Sequence, residues 1–108
     1  MPKIVVRTTD EGLRIPADVL EQAGVEPGGL IELEFAVLPG PREIQKEALR
    51  HTIWHLGDAI RVGRPQWQAG EWVVDLWSVD RQERIGQLYL DAHGQVIQEK
   101  STTRETLG

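Results

Sequence analysis

Residues 3–37 read KIVVRTTDEGLRIPADVLEQAGVEPGGLIELEFAV, and the order of signals along this stretch decides the fold of the amino-terminal third. Lys3 to Thr8 is rich in β-branched residues, the composition of a strand. Asp10-Glu11-Gly12 is turn chemistry, and Leu13-Arg14-Ile15 reads as a short return strand. Pro16 suits the first turn of a helix, since its fixed φ is already helical and its missing N–H leaves no donor unpaired. Ala17 to Ala23 follows with good helix formers, and Gly24 is placed to end the helix in a left-handed cap. Glu26-Pro27-Gly28-Gly29 makes a turn. Leu30 to Val37 then alternates Leu30, Glu32 and Glu34 with Ile31, Leu33 and Phe35, which predicts a strand with an acidic outer face.

Outward from this block, Leu38-Pro39-Gly40-Pro41 places two prolines and a glycine within four residues. No ladder or helix continues through such a run, so it bounds two modules, 1–38 and 39–102, with 103–108 as a frayed polar tail. The second module opens with a helix in which Ile44, Leu49, Ile53, Leu56 and Ile60 recur at roughly helical spacing, ended by Gly63 and Pro65. Trp72–Val79, Ile85–Asp91 and Gln95–Lys100 follow, separated by Asp80-Arg81-Gln82-Glu83 and Ala92-His93-Gly94. They predict a three-stranded antiparallel meander. The fold class is therefore α+β.

The ordered set Ile15-Pro16, Gly24-Val25, Pro27-Gly28 and the Ile31-to-Phe35 strand resembles the AbrB/MazE swapped-hairpin family. The resemblance covers residues 3–37. It implies that two chains exchange hairpins to build one small interleaved barrel, and that the homodimer binds duplex DNA as a transcriptional regulator or as an antitoxin with a toxin partner. The family's Gly-Arg ahead of Ile-Pro falls here on Glu11 and Gly12, its helix arginine on Leu20, and its last short strand on Pro39-Gly40-Pro41. Arg14 can present a guanidinium on the strand face that the missing arginine would use. The expected DNA-binding residues are then Lys3, Arg7 and Arg14. The second module faintly resembles the helix-plus-meander domains of PepSY type, which serve as binding or regulatory appendages.

Charge tempers the DNA expectation. The chain has 108 residues and a net charge of −5, and residues 1–38 carry three cations against seven carboxylates. Affinity for a duplex comes largely from phosphates neutralised by Lys and Arg, so a dimer would have to gather its six cations on one face away from fourteen acids. The other reading is a protein-binding or assembly module that kept the dimerisation barrel and lost DNA. Trp77, predicted opposite the Trp72-Val74-Leu76 core face, is its candidate partner or dimer contact.

The remaining candidates have plain readings. His51 and His55 stand four apart, with Asp58 three further on, but Thr52 occupies the place of a zinc-protease glutamate and the expectation is no metal. Arg42, Lys46 and Arg50 form a stripe with Glu43 and Glu47 one row over, a self-paired solvated face. With Arg61 and Arg64 it is the second-best place for phosphate contacts. Ser78 and Ser101 have no histidine in a recognisable elbow, and Pro27-Gly28-Gly29 precedes a strand rather than a helix, so neither an enzyme nor a cofactor is expected. With no cysteine, no apolar run of membrane length and no leader pattern at Met1-Pro2, the expected setting is the cytoplasm, with no membrane association.

Overall fold

The computed structural model describes residues 3–107; Met1, Pro2 and Gly108, and what was expected of them, lie outside the described residues. The fold is α+β and divides into two compact units, with the break between Ala36 and Val37.

In the first unit, helix α1 spans Ala17–Gln22. Pro16 sets its start, and the Pro16 carbonyl accepts from the N–H groups of Val19 and Leu20 at 3.1 and 3.3 Å. Gly24 ends it at φ 77, with its N–H donating to Glu21 and that of Val25 to Leu20. Thr9 and Gly12 exchange two backbone hydrogen bonds of 3.0 and 2.9 Å around Asp10-Glu11, the tight turn expected there. The strands expected at 3–8, 13–15 and 30–37 are not formed within this single chain. Beyond the Thr9–Gly12 bridge, none of these segments has a laddered neighbour among the described residues. A strand exists only as one side of a pair, and the apolar side chains of 30–37 face solvent: Leu30 is 99% exposed, Phe35 85% and Val37 91%. No described residue of this unit is buried.

In the second unit, helix α2 spans Pro41–His55, with Pro41 in its first turn. It ends five residues before Ile60, where the sequence pattern had carried it. The N–H groups of Leu56 and Gly57 both close on the Thr52 carbonyl, and Gly57 turns away at φ 132, a conformation that suits glycine. The face that packs on the sheet is Ile44, Ala48, Thr52 and Leu56, an unbroken i+4 row. The Thr52 hydroxyl donates to the Ala48 carbonyl at 2.7 Å, so it is buried without an unpaired polar atom. Leu49 and Ile53, expected in the core, are 42% and 53% exposed.

Four antiparallel strands form the sheet: β1 (Ile60–Val62), β2 (Gln66–Gln68), β3 (Glu71–Ser78) and β4 (Arg84–Leu90). β3 is central. β4 pairs along one edge of it, while β1 and β2 share the other, β1 opposite Leu76–Ser78 and β2 opposite Glu71–Val73. The register steps by one residue between them, so Gly63-Arg64-Pro65 forms a bulge in an interrupted edge strand. Pro65, which has no N–H to give a ladder, is tolerated there. The β2–β3 connection is the two-residue turn Ala69-Gly70, both at positive φ (50 and 82), as a type I′ hairpin requires.

The expected third meander strand, Gln95–Lys100, is not a strand. After a single bridge from Val96 to Leu90, the N–H groups of Lys100 and Ser101 both bond back to the Ile97 carbonyl and turn the chain. On the outer edge of β4 the Tyr89 and Gln87 carbonyls accept from the N–H groups of Ile97 and Thr102, and the N–H groups of the same two residues are satisfied by hydroxyls. Ser101 Oγ accepts from the Tyr89 N–H and Thr102 Oγ1 from the Gln87 N–H, each at 2.9 Å. This closes an edge that would otherwise offer unpaired backbone groups to another chain. Within the polar tail, Arg104–Leu107 is a 3-10 turn held by Thr106 Oγ1 donating to the Thr103 carbonyl, and Leu107 packs against the core. That core comprises Ile44, Ala48, Leu56, Trp72, Val74, Leu76, Leu88 and Leu90.

Candidate functional site

Lys3, Arg7 and Arg14 are exposed, and none forms an ion pair among the described residues. Their guanidinium and ammonium groups are therefore free to meet an anion.

Trp77, the candidate contact residue, is half-buried rather than exposed. Its register neighbours are Arg61 on β1 and Arg84 on β4. The tryptophan most open to solvent is Trp54 on α2, at 78%. Trp67 and Trp72 stack edge to face at 5.1 Å beside the core.

The outward face of α2 and strand β1 together form an open groove of about 710 Å³. Its floor is apolar: Leu49 from the helix, Ile60 and Val62 from β1, and Val79 after β3. Arg42 and Lys46 from the helix and Arg61 from β1 stand at its rim, and no carboxylate lines it. None of these three cations has an ion-pair partner among the described residues; on α2 only Arg50 is paired, with Glu47 at 2.8 Å. The self-paired stripe expected from sequence is thus paired at one end and open at the other. Sequence reasoning missed the groove because Leu49 was assigned to the core. The signal lay in the surplus of apolar positions on α2, more than one face of a helix can bury.

A second, smaller cleft of about 370 Å³ lies along β4, with Arg84, Tyr89, Lys100 and Thr102 in its wall. Its cations are already engaged. Lys100 bonds Glu71 and stands 4.9 Å from the Tyr89 ring centre, and Arg84 lies 3.7 Å from Asp75. Asp75 also accepts from Gln87 Nε2 at 2.9 Å, and Gln87 Oε1 accepts from the Tyr89 hydroxyl. This is a closed polar network on the sheet rather than a receptive site.

The His51 and His55 rings lie 4.6 Å apart, tilted by 38°. Burial and the neighbouring His55 hold the His51 imidazolium below the usual histidine range, and Glu47 opposes that only in part. Among the described residues no group of three His, Cys, Asp or Glu side chains is arranged to hold a metal ion, and no helix is long and apolar enough to cross a membrane.

No family model, curated protein or solved structure matches this chain.

Proposed function

We propose that this chain is a homodimeric DNA-binding regulator or antitoxin-like protein of the cytoplasm, its residues 3–37 completed by the same residues of a second copy in the AbrB/MazE manner. One observation carries the reading. The segment 30–37 alternates acidic and apolar residues like a half-buried strand, yet the residues of its apolar face, Ile31, Leu33, Phe35 and Val37, stand in water. A block this small cannot offset the entropy of ordering without burying such side chains, and a second copy offers the pairing that the single chain lacks. Arg7 and Arg14 are the groups for base edges in a groove and Lys3 for a phosphate, which sets register without reading sequence. The role is one of binding rather than catalysis, and needs no cofactor.

Fluorescence anisotropy against the chain's own upstream DNA and a scrambled duplex, at low and high salt, tests this. Preferential binding that weakens as salt rises is expected. Arg14→Glu should weaken it by at least about tenfold, removing one cation and adding one repulsion per subunit, while leaving the dimer intact. Unchanged affinity in that variant removes Arg14 from the site, and no binding at low salt removes DNA.

A second reading, a protein-binding module whose barrel serves only to dimerise, is favoured by the apolar groove of the second unit and its unpaired rim cations. A toxin would be one such partner.

A further inference from the structure

We infer that the groove between α2 and β1 is a docking site for an acidic, amphipathic segment of a partner protein. The chain as a whole carries an excess of five negative charges, yet this groove is lined by three cations and no carboxylate. Elsewhere in the second unit Arg50, Arg81, Arg84 and Lys100 are engaged with acidic side chains, while Arg64 and Arg104, which do not line the groove, have no ion-pair partner among the described residues. Arg42, Lys46 and Arg61 are left free around one shared apolar floor, an arrangement complementary to carboxylates flanking a row of apolar residues.

The floor selects protein over nucleic acid. Leu49 and Val79, 42% and 56% exposed, leave water when a leucine or phenylalanine covers them, whereas a phosphate backbone would strand its charge against them. The apolar strip continues one turn along the helix through Ile53, 53% exposed, which lies on the same side of α2 as Leu49. The occupant is therefore a helix rather than an added strand. β1 is only three residues long, and the Gly63-Arg64-Pro65 bulge interrupts the edge that an extended peptide would need to follow. A helix laid in the groove presents apolar residues at i, i+4 and i+7 to Leu49, Ile53 and Val79, and glutamates on its flanks to Arg42, Lys46 and Arg61. The site is independent of residues 3–37, so it stands or falls apart from the DNA reading.

The test uses the full chain and a fluorescein-labelled peptide of about four helical turns with leucines on one face and glutamates on both flanks. A second peptide carries lysine in place of every glutamate. The glutamate peptide should bind and the lysine peptide should not. The double variant Lys46→Glu/Arg61→Glu should weaken binding by at least about tenfold, and Leu49→Ser should weaken it without changing its salt dependence. All three substitutions are at exposed positions, so circular dichroism should be unchanged in both variants. Arg14→Glu should leave peptide binding as it is, and Lys46→Glu/Arg61→Glu should leave the affinity for upstream DNA as it is. Absence of binding, equal binding of both peptides, or retention in the double variant overturns the proposal. If the double variant instead loses DNA, the groove is a nucleic-acid surface and the proposal is wrong.

Discussion

Val74, Leu76, Leu88 and Leu90 are wholly enclosed in the second unit, whereas Leu33 and Phe35 near the end of the first lie open to solvent. Both regions are patterned for strands. The difference is a partner: β3 has neighbours on both edges and α2 across one face, while 30–37 has no ladder within its own chain. The contrast teaches that an amphipathic strand pattern specifies a face to be covered, and says nothing of which chain covers it.

Substitutions at the two kinds of leucine and aromatic site should separate most widely. Leu88→Ala leaves a cavity in the core cluster beside its β3 partner Val74 and should cost the second unit about 2–5 kcal/mol in denaturant unfolding. Phe35→Ala should change that same transition by less than about 0.5 kcal/mol, because no packing of the second unit depends on it, while weakening self-association. Equal losses would mean that the two regions share one core.

A smaller effect is expected where β4 meets the segment after it. A β-carbon on Gly86 would lie 2.3–2.8 Å from Thr102 side-chain atoms, so Gly86→Ala must push Thr102 off the edge it caps. A loss of about 1–3 kcal/mol in thermal unfolding is expected, as for other overpacked sites. Gly86→Ala combined with Thr102→Ala should recover part of it, since alanine removes both the hydroxyl oxygen at 2.3 Å and the methyl at 2.7 Å. No recovery would mean that the cost arises elsewhere than at Thr102.

The smallest effect has the opposite sign. Ala69 holds φ 50 in the β2–β3 turn, a left-handed conformation that alanine adopts reluctantly and asparagine readily. Ala69→Asn should stabilise the second unit by about 0.5–1 kcal/mol. A destabilised variant would contradict the type I′ reading of that turn.

Much of this architecture was legible in the sequence, and the failures share a cause. Pro16, Gly24, Asp10-Glu11-Gly12 and the β3–β4 turn were readable because each is decided by local backbone chemistry. The Trp72-Val74-Leu76 face was readable because strand side chains alternate. What was missed depended on partners. β1 and β2 are three residues each, too short for a period, and Pro65 reads as a stop although a bulge accommodates it at an edge. Gln95–Lys100 has strand composition, but Ser101 and Thr102 use their hydroxyls on β4 before a ladder can form. The helical pattern overruns the end of α2 because Ile60 keeps its spacing beyond Gly57-Asp58, although it belongs to β1. For the site, Lys3, Arg7 and Arg14 are what the resemblance proposes and are exposed, but the groove is invisible in the sequence. Whether Leu49 faces the sheet or water turns on a rotation of the helix that Ala48 and Thr52, small enough for close approach to the sheet, decide.

The central claim is that residues 3–37 are completed by a second copy of the chain. Sedimentation equilibrium of the full chain over a wide concentration range tests it most directly, beside Phe35→Glu, which sets a charge in the face to be covered. The account predicts a dimer for the native chain and a shift toward monomer in the variant, with the unfolding of the second unit unchanged. A native chain that remains monomeric at every concentration would contradict it.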